Sequence, residues 1–157
     1  AALALEAAGA GHYMVEAGGE VRTRGVNAEG RPWRIGIEQP DALPPRARLV
    51  VPLSGRAMAT SGDYRNFFEQ DGRRYSHEID PRTGEPVDHR LCSVTVVAED
   101  CMRADALATA LLVLGPGRGL RLAESLGLAA YFVERVAPAQ YVDRQTGAFA
   151  ALGGHPA

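Results

Sequence analysis

The run Leu91-Cys92-Ser93-Val94-Thr95-Val96-Val97-Ala98, followed by Glu99-Asp100-Cys101-Met102-Arg103-Ala104-Asp105-Ala106-Leu107-Ala108-Thr109-Ala110-Leu111-Leu112-Val113-Leu114 and then Gly115-Pro116, carries the fold in one passage. Its first eight residues are apolar and β-branched, which reads as a buried strand. Asp100 can accept hydrogen bonds from first-turn amides, so it predicts the N-cap of a helix over 101–114 that Gly115-Pro116 ends. A second helix is predicted over 118–126, stopped by Gly127, and a closing apolar strand over 128–133.

Upstream the pattern changes to short strands. Residues 1–9 read as the last two turns of a helix closed by Gly9, and 12–16 and 21–25 as strands joined through Ala17-Gly18-Gly19-Glu20. Residues 31–38 alternate around Trp33, Ile35 and Ile37, a period of two that predicts a strand with one buried face. After a proline-rich loop at 41–45, residues 48–53 and 57–60 read as strands and Thr60-Ser61-Gly62-Asp63 as a turn. Asp71-Gly72 is the signal for a type I′ hairpin, with His77 ending its second strand. Two prolines and a glycine predict an irregular, ordered loop over 80–88, and a short strand is expected within 141–149. Many strands with short connections and helices at intervals predict an α+β fold with a mainly antiparallel sheet and packed helices.

Composition narrows the function. A chain of 157 residues has the size of one domain, and 46% apolar content with a net charge of −2 excludes disorder and a cationic nucleic-acid binder. All seventeen basic residues are arginine, so no lysine in this chain can serve as a P-loop, Schiff-base or catalytic amine. No stretch approaches the roughly 20 consecutive apolar residues of a membrane span, and no signal peptide is evident, so the chain reads as soluble. Cys92 and Cys101 flank an extended run, which disfavours a disulfide between them, and two cysteines cannot build a structural zinc site.

Three groups of residues have the types that chemistry needs. Ser76-His77-Glu78-Ile79-Asp80-Pro81-Arg82-Thr83-Gly84-Glu85-Pro86 sets a histidine where a strand runs into a rigid loop, a good place to meet a ligand. The alternative is that Asp80 and Thr83 satisfy the loop's own backbone and His77 is an edge residue. Asp105 and Thr109 lie four apart on the predicted helix, so they share a face, and a carboxylate with a hydroxyl suits magnesium. Alternatively Asp105 only favours the helix N-terminus and Thr109 bonds back to a carbonyl. Gly18-Gly19-Glu20 can let amides approach a phosphate, but it lacks the strand-glycine-helix context of a nucleotide-binding motif. His12, His89 and His155 have no companions at ligand spacing and read as surface or turn residues.

Together, Trp33-Arg34-Ile35-Gly36-Ile37-Glu38-Gln39-Pro40, Thr60-Ser61-Gly62-Asp63-Tyr64-Arg65-Asn66, the Ser76 to Pro86 loop, and Ala104-Asp105-Ala106 through Thr109 to Gly115 resemble the FAD:protein FMN transferases of the ApbE family, over about residues 1–135. The resemblance implies an ApbE-like fold and a magnesium-dependent transfer of FMN from FAD to a threonine or serine hydroxyl of an acceptor flavoprotein carrying a flavinylation motif, with release of AMP. Some members are described instead as FAD-binding lipoproteins of the cell envelope, so an FAD binder without transferase activity is the alternative. By resemblance Asp105 and Thr109 are side-chain magnesium ligands, and Ala108 occupies a position where some members carry a further aspartate. His77 matches the histidine that helps deprotonate the acceptor, and His77 and Ile79 belong to the loop that contacts FAD.

The same resemblance sets expectations for the whole protein. The family unit is about twice this length, so residues 1–157 are expected to be the C-terminal part of a flavin transferase domain whose N-terminal half is absent. That upstream half includes an Asp-Leu-small-small-Ile-Ala-Lys-Gly-Tyr stretch that contacts metal and often supplies a lysine. The family places such proteins in the periplasm or at the outer face of the bacterial membrane, anchored by lipid. In the tail, Asp143-Arg144-Gln145-Thr146-Gly147-Ala148-Phe149 resembles an acceptor motif only faintly, since Phe149 stands where the acceptor hydroxyl would be.

Overall fold

The computed structural model describes residues 1–64 and 75–157 in full and the backbone of 67–70 and 73–74. In chain order the elements are α1 (Ala2–Ala7), β1 (Tyr13–Ala17), β2 (Glu20–Arg24), β3 (Trp33–Glu38), β4 (Ala47–Leu53), β5 (Ala57–Gly62), β6 (Phe67–Gln70), β7 (Arg73–Ser76), β8 (Ile79–Asp80) and β9 (Glu85–Pro86). There follow β10 (Leu91–Ala98), α2 (Cys101–Ser125), β11 (Ala129–Ala137), β12 (Gln140–Gln145), α3 (Gly147–Ala150) and β13 (His155–Pro156). A six-stranded sheet runs in the order β1-β2-β5-β10-β11-β12, and its neighbours are all antiparallel. A second sheet is ordered β13-β4-β3, and the pairs β6-β7 and β8-β9 stand apart.

The six-stranded sheet is buried on both faces at its centre. Val97, Tyr131 and Val133 point into one core with Ile35, Ile37, Val51, Leu53 and Phe149, from the second sheet and α3. Val94, Val96, Ala130 and Phe132 point into the other, beneath Ala108, Leu111, Leu112 and Ala123 of α2. This is why 91–98 is apolar almost without interruption: a strand covered on both sides has no face to give to water. At about 25 cal/mol per Å², each fully buried Leu, Val or Phe side chain contributes roughly 1.5–3 kcal/mol to holding these three layers together.

Asp100 caps α2, accepting from the Arg103 amide at 2.8 Å. The break predicted at Gly115-Pro116 is present: Gly115 has φ 77° and ψ 174°, so α2 is two helical runs joined at a corner. The second run folds back closely, because a Cβ at Gly119 would sit 2.6 Å from the Leu111 carbonyl oxygen. By length and composition α2 could cross a membrane, but here it is a core helix laid on β5, β10 and β11.

Several expectations change. Thr60 to Asp63 is not a turn: β5 continues through Gly62 because β10 supplies partners, with Ser61 opposite Val94 and Gly62 opposite Ser93. The 80–88 loop is clipped by a two-rung ladder, Ile79 with Pro86 and Asp80 with Glu85, which Pro86 tolerates at an edge. The closing strand extends to Ala137 because β12, the short strand expected in the tail, pairs along it; α3, capped by the buried Thr146, and β13 follow. His89, expected at the surface or in a turn, lies in a bend and is half-buried against the α2 corner. The Asp71-Gly72 turn lies outside the described residues, although β6 and β7 pair in the register it predicts, Gln70 with Arg73.

Candidate active site

A cleft of about 760 Å³ opens where β1, β2, β5, the first run of α2 and the chain after β7 converge. That volume lies within the usual range for small-molecule sites, ~300–1,000 Å³. Its wall includes His77, Asp105 and Thr109, so three of the four sequence-predicted site residues come together. Ile79 is not among the described lining residues and leaves 48% of its surface exposed.

Each side chain is delivered by a different local cause. Gly18 and Gly19, both at positive φ, form the two-residue turn between β1 and β2 and bring backbone to the cleft edge. Asp105 and Thr109 follow from the N-cap at Asp100, which sets the phase of α2 and turns Ala104 and Ala108 into the core and their neighbours outward. Thr109 hydrogen-bonds across to Ser61, Oγ1 to Oγ at 2.8 Å. His77 follows the last residue of β7 directly. The buried Ser76 accepts from the Glu78 amide at 3.1 Å and Val87 donates to the Glu78 carbonyl at 2.9 Å, so the backbone on either side is held.

The loop beyond holds itself. Asp80 accepts from the Arg82 amide at 2.9 Å and pairs with the Arg82 guanidinium, which holds its carboxyl down at about 2. Thr83 and Gly84 donate to the Asp80 carbonyl, and Glu85 donates to the Thr83 hydroxyl at 3.2 Å. Asp80 and Thr83 thus serve the loop's backbone, while His77, with 45% of its side chain exposed, faces the cleft beside Glu78, Nε2 to Oε1 at 3.5 Å.

The charge in the cleft is one-sided. Glu16, Glu38, Glu78 and Asp105 line it, and no arginine occurs among the described lining residues. A polyphosphate would meet carboxylates there, so its binding calls for a cation. The donors fit a hard divalent ion of the magnesium kind: a carboxylate and a hydroxyl one helical turn apart leave the remaining positions to phosphate oxygens and water. No cluster of three or more His, Cys, Asp or Glu that could hold a metal by themselves is present among the described residues. Ser61, like Glu16, Glu38 and Glu78, is a polar lining residue that sequence reasoning passed over; its signal was Thr60-Ser61-Gly62, which reads locally as a turn.

Comparison with known proteins places the chain in a family. The family model described as the ApbE family matches residues 1–132. The FAD:protein FMN transferase of Haemophilus influenzae is 50% identical over 132 residues, 83% of this chain and 38% of that protein. That of Vibrio cholerae is 52% identical over 121 residues, 77% of this chain and 36% of that protein. In structure, the apo form of Pseudomonas stutzeri flavinyl transferase ApbE superposes with a TM-score of 0.82 at 48% identity, covering 96% of this chain and 46% of that one. The ApbE protein of Thermotoga maritima superposes at 0.77 with 33% identity, covering 90% and 44%. The chain therefore spans less than half the length of the relatives it matches.

Proposed function

The chain belongs to the ApbE family, and we propose that it works as part of an FAD:protein FMN transferase. The observation that carries this reading is the convergence of His77, Asp105 and Thr109 on one cleft from a loop and a helix that lie far apart in sequence. In the proposed reaction a serine or threonine hydroxyl of the acceptor flavoprotein attacks the FMN phosphorus of FAD. A new phosphoester bond forms, the pyrophosphate bond breaks, and AMP leaves.

His77 accepts the hydroxyl proton, with the Glu78 carboxylate 3.5 Å from its Nε2. Asp105 and Thr109 would hold magnesium, which when bound neutralises charge on the pyrophosphate. His77 and Ile79, at the two ends of the short segment from β7 to β8, are the residues of this loop that would contact FAD. The acceptor is a flavoprotein with a flavinylation motif, and the setting proposed is the periplasm or the outer face of the membrane, with a lipid anchor.

The test is Asp105→Ala in the complete transferase, incubated with FAD, magnesium and an acceptor carrying an Asp-x-x-Thr-Gly-Ala-Thr motif. Covalent flavin fluorescence on the acceptor should be lost with Asp105→Ala. Unchanged transfer would remove the metal assignment. Bound but unaltered FAD with the unmodified protein would make it an FAD-binding envelope protein instead.

A further inference from the structure

We infer that Ser61 is a positioning residue for Thr109, holding the threonine hydroxyl so that a lone pair rather than the proton faces the cleft. The inference rests on the reading that Asp105 and Thr109 hold a divalent cation. A hydroxyl carries one proton and two lone pairs, so it can serve a cation only if its proton is directed elsewhere. On a helix that proton commonly turns back to a carbonyl one turn earlier, which rotates the oxygen with it. Here the Thr109 oxygen instead lies 2.8 Å from Ser61 Oγ, a hydroxyl on a different element that is able to take the proton.

Ser61 is itself rigidly placed. It is 8% exposed and sits opposite Val94 in the ladder between β5 and β10. The preceding rung is tied by a 2.8 Å bond between the Thr60 and Thr95 hydroxyls. The following one is closed by Gly62, where a Cβ would lie 2.7 Å from the Tyr64 ring and 2.9 Å from the Cys92 carbonyl oxygen. The sheet therefore fixes Ser61, the helix fixes the Thr109 backbone, and the bond between them selects the Thr109 hydroxyl orientation. This is the arrangement by which an outer partner orients a cation ligand.

The experiment uses the FAD-loaded transferase and Mn²⁺ as a paramagnetic stand-in for magnesium, with the bound ion followed by electron paramagnetic resonance. Ser61→Ala should weaken Mn²⁺ binding by about 10–100-fold, the usual cost of removing an outer partner. Ser61→Thr, which keeps the hydroxyl, should bind close to the unmodified protein. In a Thr109→Val background Ser61→Ala should add nothing, because its effect passes through the Thr109 oxygen. Full additivity of the two substitutions would overturn the inference, as would undiminished affinity in Ser61→Ala while Asp105→Ala loses the ion. If Asp105→Ala also binds Mn²⁺ normally, the metal reading itself fails and takes this inference with it.

Discussion

The imidazole of His89 donates from Nε2 to the carbonyl of Leu112 at 2.8 Å, the carbonyl that residue 116 would bond if α2 ran straight. Residue 116 is proline and has no N–H, so the corner at Gly115 would leave that oxygen without its helical partner. His89 supplies the missing donor from the segment just before β10. Gly115 makes room for it, since a Cβ there would come within 3.0 Å of the His89 ring. His89→Phe keeps the packing and removes the donor, and should cost about 1–3 kcal/mol. At roughly 2–4 °C per kcal/mol for a domain of this size, the fall is measurable by calorimetry. An unchanged melting temperature would show that Leu112 does not depend on His89.

Replacing His77 separates chemistry from binding. His77→Ala should slow FMN transfer by about 10²–10⁴-fold, the usual worth of a general base. FAD affinity, read by flavin fluorescence quenching, should fall far less than the transfer rate, because His77 would be only one of several FAD contacts. Loss of FAD binding with no effect on the transfer rate at saturating FAD would assign His77 to the flavin rather than to the acceptor hydroxyl.

Asp80 gives the loop a pH signature. Its carboxyl is held at about 2, below the ordinary 3.8, chiefly by the hydrogen bonds from Arg82. A depressed native value means that the contact contributes above the unfolded value and is lost as pH falls through about 2. The Asp80 carboxyl resonance should therefore titrate near the bottom of the accessible range rather than near pH 4. Arg82→Gln should return it toward the ordinary value, and a wild-type titration near pH 4 would contradict the pairing.

The two cysteines should differ in reactivity. Cys92 is fully buried in β10, and burial pushes its thiol up to about 12. At pH 8 only roughly one part in ten thousand would be thiolate, the reactive form. Cys101 begins α2 and is partly exposed. Iodoacetamide on the native protein should modify Cys101 and leave Cys92 intact until denaturant is added. Peptide mass spectrometry that finds Cys92 alkylated first would refute this.

What the sequence determined by itself is local and periodic. The apolar run ending at Ala98, the cap at Asp100 and the stop at Gly115-Pro116 are each written within a few residues, because backbone propensity, capping and side-chain period act over that range. The spacing of Asp105 and Thr109 and the position of His77 after a strand were legible for the same reason, and the family resemblance rested on those segments in order. Ser61 and His89 were not legible. Thr60-Ser61-Gly62-Asp63 has the composition of a turn, and only the ladder with β10 makes it strand. His89 has no companions near it in sequence, and its partner is a carbonyl 23 residues away. Tertiary structure decided both, since a single hydroxyl or imidazole acquires a role only when register and packing bring a distant partner within 3 Å.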